Sequence, residues 1–376
     1  MNAPQHFTVS VATAQSFALS PEGQSMARRR LLRDARETES RAGLPGETTA
    51  LLGELMRRLV VAGLAELPAP GQGRTLARWQ ALADVAAHDL SLAKLFEGHT
   101  DALAILRELG DDAPVPAGST WGMWAAEPPD AKVSFQRQGG GHHVRLQGRK
   151  SWCSGASTVS NGLLTAWAAD GCGPFLVKVA MDQSGVRVID KAWRAVGMAG
   201  SASVDVEFDA AQGTLLGGAR DYLSRPGFWH GGAGIAACWY GGALALAHHL
   251  KAAAADSGGT GKRPGDLLRQ AALGKVDLAL RQTAALLRDA ARWIDEHPRD
   301  DACALALRVR LSAEASAGRV LDEVGRALGA GPFCRDAQFA RMAADLPVFV
   351  RQSGADRDFA ALGAHLAASE SASWAL

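Results

Sequence analysis

The sequence predicts an α+β chain in three parts: an N-terminal helical domain over residues 1–113, a middle β-barrel or sandwich domain over 114–222, and a C-terminal four-helix bundle over 223–376. Two observations carry this order. Ala-, Leu-, Arg- and Glu-rich stretches with apolar residues at helical spacing occupy both ends. Between them lies a block of short pieces rich in Gly, Val, Ser and Trp, with turn residues at regular intervals.

In the first part, ALLGELMRRLVVAGLAEL and LARWQALADVAAHDLSLAKLFEGHTDALAIL carry apolar stripes at the helical period, and Gly110, Asp111 and Asp112 end the block. The texture changes at Ala113, in APVPAGST. HHVRLQGRKSWCSG then alternates around Val144 and Leu146, GLLTAWAA and GPFLVKVAM read as strands bounded by Gly and Asp turns, and SGVRVIDKAW and SASVDVEFDA repeat the pattern. From Pro226 the helical texture returns in three long stretches, broken at SGGTGKRPGD and EHPRDD, with a fourth helix expected after Pro347.

Bulk properties exclude several function classes. A formal charge of +1, without long Lys/Arg runs, supplies no field for nucleic acid. Five scattered cysteines with no C-x-x-C pair argue against a zinc knuckle or a disulfide framework and fit a cytoplasmic location. The N-terminus has no basic start followed by an apolar run, and no uninterrupted apolar stretch of membrane-spanning length occurs. His142 and His143 sit in a Gly-rich hairpin and read as a solvated turn. His248 and His249 are adjacent on a helix, point apart, and suit no shared metal.

The middle part also holds a series of short motifs. GMWAAEPPD has Glu127 and Pro128 at the end of a strand, and about 25 residues on comes Gly148-Arg149-Lys150-Ser151-Trp152-Cys153-Ser154-Gly155. Gly185-Val186, Gly197-Met198, Val206-Glu207-Phe208 and Gly329-Ala330-Gly331 follow. In this order the motifs resemble those of the acyl-CoA dehydrogenase superfamily over essentially the whole chain. The resemblance implies bound FAD, with FMN as the other option. Its flavin site would comprise the strand Met123–Ala126, in particular Met123, Ala125 and Ala126, together with Trp152, Cys153, Ser154, Gly329 and Gly331. Trp152 offers a broad apolar face for the flavin ring, and strand alternation would put Ser154 on the same side. By the resemblance, the Ser154 hydroxyl bonds the flavin N5, and backbone groups of Met123–Ala126 bond its pyrimidine edge. An acyl thioester substrate, an electron-transfer flavoprotein as acceptor and a homodimer or homotetramer are further implications of the family.

The sequence departs from the family pattern where the chemistry is most demanding. Ala126 stands where a Thr precedes Glu-Pro, and PDAKVSF replaces the phosphate-contacting Gly-Ser-Asp, leaving Ser134 as substitute. SGGTGKRPGD replaces an Arg-x-x-Phe-Gly motif, with Lys262 or Arg263 as the remaining cation. The base that dehydrogenation needs has no counterpart. Gln352 occupies one family position for the Glu, an amide that cannot accept the proton, and Trp229-His230-Gly231-Gly232 occupies the other. His230 is the alternative base there, and Asp356 and Asp358 are expected to face solvent. The reading that follows from the resemblance is a dehydrogenase with a relocated base, oxidising a CoA or acyl-carrier-protein thioester at its α,β carbons; the alternatives are a monooxygenase of the same architecture using reduced flavin and O2, and a non-catalytic flavoprotein or structural homologue.

Overall fold

The computed structural model describes residues 20–39, 45–111, 115–190, 193–256, 264–368 and Trp374. Four helices come first: α1 (Pro21–Glu39), α2 (Pro45–Val61), α3 (Thr75–His88) and α4 (Leu90–Glu108). Only Asp89 separates α3 from α4. Its extended backbone interrupts the helix, and its carboxylate accepts the Leu92 N–H at 2.8 Å, capping α4.

The middle of the chain is a seven-stranded sheet: β1 (Trp121–Trp124), β2 (Val133–Arg137), β3 (His143–Cys153), β4 (Asn161–Ala168), β5 (Phe175–Ala180), β6 (Val186–Ile189) and β7 (Val204–Leu216). β1 and β2 share one edge of β4, running parallel to it, and β5 takes the other edge. β2 pairs with β3, β3 with β7, and β7 with β5, so the sheet closes into a barrel; β6 adds to β7. Of the two expected forms, barrel and sandwich, the barrel is found. Its core joins Val144, Leu146, Leu164, Val177, Val206 and Phe208, all essentially inaccessible.

Two glycines of the motif series are explained by close packing. A Cβ on Gly185, at φ +88°, would collide with the Asp209 carbonyl oxygen. One on Gly197 would collide with the carbonyl of Ala344, where the loop before β7 presses on a C-terminal helix.

After the short α5 (Asp221–Ser224) come the long helices α6 (Gly227–Asp256), α7 (Pro264–Glu296) and α8 (Cys303–Leu328), then α9 (Ala330–Arg335), α10 (Ala337–Phe349) and α11 (Asp356–Ala368). The fourth helix was expected after Pro347, but Pro347 lies inside α10. The Asp336 side chain caps α10 from the Phe339 N–H at 3.0 Å, and a proline so close to the C-terminus costs the helix only one hydrogen bond. The expected boundary at 113/114 lies outside the described residues, and that at 222/223 falls within α5.

One core runs through both helical parts. Leu52, Leu59, Val85 and Phe96 from α2–α4 pack with Ala236, Trp239, Val276, Ile294, Val320 and Leu346. α4 also belongs to a second cluster, in which Ala102, Ile105 and Leu106 meet Trp121, Leu163, Leu176 and Leu216 of the barrel. Among the described residues no helix is long and apolar enough to cross a membrane.

Candidate functional site

β3 ends in a bulge. Its pairing with β7 is interrupted between Lys150 and Cys153, and Trp152 adopts φ +59°, a left-handed conformation unusual for a bulky residue. The expectation that strand alternation sets Trp152 and Ser154 on one side is therefore corrected: the strand stops at Cys153, and Ser154 lies in the turn that follows. The bulge turns Trp152 outward, leaving it 56% exposed, while Cys153 beside it is fully buried. Burial drives the Cys153 thiol far above its ordinary pKa, so it serves as packing.

Ser154 ends a relay of hydroxyls. Ser201 donates to the Met198 carbonyl at 2.8 Å, Ser201 and Ser203 are 3.0 Å apart, and Ser203 and Ser154 are 2.7 Å apart. A carbonyl only accepts, so the single Ser201 proton is committed to Met198. Ser203 must then donate to Ser201, and Ser154 to Ser203. Ser154 Oγ is left with lone pairs and no proton to give.

The Glu-Pro and Gly-x-Lys-x-Trp segments are tied together from below. The Lys150 side chain is 0% exposed and donates to Thr165 Oγ1 at 2.6 Å, the Thr165 carbonyl at 3.1 Å and Glu127 Oε1 at 3.3 Å. Glu127 also accepts from Thr165 Oγ1 at 2.6 Å and from Trp167 Nε1 at 2.8 Å. Burial lowers the Lys150 pKa against the opposing pull of Glu127. Burial would raise that of Glu127, but the bonds from Thr165 and Trp167 and the Lys150 charge outweigh it and hold the carboxylate ionised. This pair fixes the end of β1 against the bulge. Lys150 had been read only as part of a motif.

The Trp124 indole N–H donates to the Ser154 carbonyl at 3.1 Å, which sets β1 beside the Ser154 turn. Met123 and Ser154 line one crevice together with Lys94 and Gly98 of α4. β1 pairs on one edge only, with β4, so the other edge has no strand partner among the described residues. Met123, Ala125, Trp152, Cys153 and Ser154 thus fall in one region, with Ala126 next in the chain. Gly329 and Gly331 stand apart at the α8–α9 corner, where a Cβ would meet nothing within 4 Å and no described hydrogen bond reaches the barrel. Ser134 donates to the Gln147 carbonyl across the β2–β3 hairpin at 3.2 Å. Lys262 and Arg263 lie outside the described residues.

Ala125 also opens onto a cavity of about 420 Å³, a size suited to a small ligand. Trp229, Gly231, Gly232 and Gln352 line it, so both family positions for the missing Glu face the same space. His230 is absent from this wall. It is 2% exposed, its Nε2 has no partner among the described residues, and burial lowers its pKa, so it is a neutral core side chain. The expectation that Asp358 faces solvent is corrected. It lines the cavity and accepts the Gly354 N–H at 2.9 Å because the chain folds back through Ser353 to begin α11; Asp356 is exposed as expected.

Glu97 and Asp101 of α4 line the cavity as well, and sequence reasoning missed both. The available signal was their i, i+4 spacing, which puts two carboxylates on one face of α4.

The sequence matches no protein-family model and no curated protein. The structure matches solved ones. TdsC from Paenibacillus sp. A11-2, a dibenzothiophene monooxygenase solved with FMN and indole, is 18% identical over 90% of this chain and 94% of that chain, with a TM-score of 0.70. KijD3, solved with FMN and dTDP-3-amino-2,3,6-trideoxy-4-keto-3-methyl-D-glucose, is 18% identical over 92% and 94%, TM-score 0.71. Methanesulfinate monooxygenase MsuC from Pseudomonas fluorescens is 20% identical over 90% and 95%, TM-score 0.68. At these identities the likeness shows the fold, and helices, barrel and helices follow in the order that the resemblance implied.

Proposed function

We propose that the chain is a flavin-dependent monooxygenase that holds FMN or FAD against Trp152 and works on the reduced cofactor. The residues present fit the group: an exposed indole in a fixed bulge, a β1 edge without a strand partner, and a hydroxyl at Ser154. The carrying observation is the serine relay. An oxidised flavin N5 needs a donor, whereas a reduced N5–H needs an acceptor, and the relay leaves Ser154 only the second role. When bound, the flavin supplies the reducing equivalents for O2 chemistry. The protein orients it through Trp152, Ser154 and the β1 backbone, and the cavity beside Ala125 holds the substrate. Two of the solved structures with this fold are named as monooxygenases, which supports the same reading.

Reduced FMN should bind about tenfold or more tightly than oxidised FMN, as read by anaerobic titration. Ser203→Ala removes the acceptor of the Ser154 proton and should narrow that ratio. Equal affinities in the native protein would sink the proposal.

A second reading, oxidation of an acyl thioester at its α,β carbons with an electron-transfer flavoprotein as acceptor, draws support from Glu97, Asp101 and Asp358 on the cavity wall. Any of these carboxylates would be the relocated base. Anaerobic bleaching of bound flavin by an acyl-CoA would select it over the first. The homodimer or homotetramer belongs to either reading. Leu267, Leu268 and Leu278 of α7, all more than half exposed, offer it an apolar face.

A further inference from the structure

The cavity beside Ala125 has a charged wall, and all but one of its charged side chains are engaged. Glu97 accepts from Lys94 at 2.8 Å, and Arg225 donates to Glu108 at 2.6 Å. Arg310 donates to the carbonyls of Gly232 and Gln352 at 3.3 and 3.0 Å, and Asp358 holds the Gly354 N–H. Asp101 differs. No described residue donates a hydrogen bond to its carboxylate, and no cation lies within ion-pair distance. Gly231 on α6 leaves it room: a Cβ there would meet Asp101 Oδ1 at 2.8 Å.

Asp101 is half-buried in this wall, and a carboxylate so placed without a hydrogen-bond or ion-pair partner gains one when a cation arrives. Burial raises the Asp101 pKa, and the Glu97 charge adds to this against the opposing Arg225, Arg78 and Lys94, so Asp101 holds its proton more firmly than an ordinary Asp. The rest of the wall is aromatic. Tyr222 and Phe228 meet edge to face at 5.4 Å, as do Phe228 and Trp229 at 5.2 Å. Such rings cover an apolar body and tolerate a nearby cation.

We propose that this cavity takes a substrate bearing a cationic amine on an apolar or aromatic body, and that Asp101 receives the ammonium group. That the occupant is the substrate rests on the flavoenzyme reading; the charge preference of the cavity does not.

The test compares 2-phenylethylamine with the uncharged 2-phenylethanol by isothermal titration at neutral pH, on the full chain with and without FMN. The amine should bind about tenfold more tightly than the alcohol. Asp101→Asn should erase that preference while leaving the alcohol within about twofold. Gly231→Ala, which crowds Oδ1 without removing charge, should reduce it too and serves if the first variant fails to fold. Exposed Asp356→Asn should leave the preference intact. Equal affinities in the native protein, no saturable amine binding at millimolar concentration, or a preference that survives both Asp101→Asn and Gly231→Ala would each overturn the proposal. FMN binding, read separately by flavin fluorescence, tells a failed cavity assignment from a failed flavin assignment.

Discussion

Trp152 combines two features that a structural side chain has no use for. Its indole is 56% exposed, and its φ of +59° costs about 1–2 kcal/mol for a residue with a Cβ. Such a cost persists where the position serves a ligand, and an indole held off the barrel by a bulge is what a flavin ring would stack on. Trp152→Ala and Trp152→Gly should both weaken flavin binding, by about tenfold or more. They should differ in stability: the glycine variant relieves the backbone and should be about 1 kcal/mol more stable than the alanine variant by urea unfolding. Unchanged flavin affinity in both would remove Trp152 from the site. The sequence exposed Trp152 through its motif, but the reason then offered, alternation along a strand, was wrong. A bulge depends on pairing with β7, about 50 residues downstream, and leaves no mark in the local pattern.

At the scale of elements, the loop before β7 and α10 are clamped together. Gly197 lets the two backbones touch, and the Met198 N–H donates to the Asp345 carboxylate, which is 2% exposed. Burial and the nearby Asp89 charge raise the Asp345 pKa to about 7, against the opposing Met198 N–H and Arg341. An acid whose folded pKa lies above its unfolded value binds more protons folded than unfolded. Its stabilising contribution is therefore complete below about pH 4 and is lost as pH rises to about 7. Asp345→Asn keeps an acceptor for Met198 without the charge. Its stability advantage over the native chain should grow across that window, to at most about 4 kcal/mol, and stay level above it. Paired urea melts at pH 4, 6 and 8 measure this; an advantage independent of pH would show that folding does not shift the Asp345 pKa. The Gly197-Met198 motif was visible in the sequence, and its partner was not. Asp345 receives a backbone N–H 147 residues away in the chain, a pairing that no local pattern records. Glu97 and Asp101 were overlooked for a related reason: they sit in a helix read only for its apolar period, and their significance depends on α6, α8 and α11 closing around them.

For the whole molecule, the sequence texture separates three parts where the packing joins them. The two helical segments share one apolar core, and α4 carries that core into contact with the barrel through Ala102, Ile105 and Leu106. Trp193 touches both the barrel core and the helical core. Periodicity reports which face of a helix is apolar but not which distant segment covers it, so the shared core could not be read in advance. Its consequence is cooperativity. The proposed flavin residues stand on β1 and the end of β3, and the cavity beside them is walled by α4, α6, α8 and α11, so a ligand there binds only when all of these are assembled. Calorimetry should show one unfolding transition, with calorimetric and van't Hoff enthalpies in agreement. Reduced FMN at about 100 times its Kd should stabilise the folded state by about 2.7 kcal/mol and move that single transition upward. Two resolved transitions, with FMN raising only one, would mean that the barrel binds flavin without the helices, and that α4 does not couple the cofactor to the cavity.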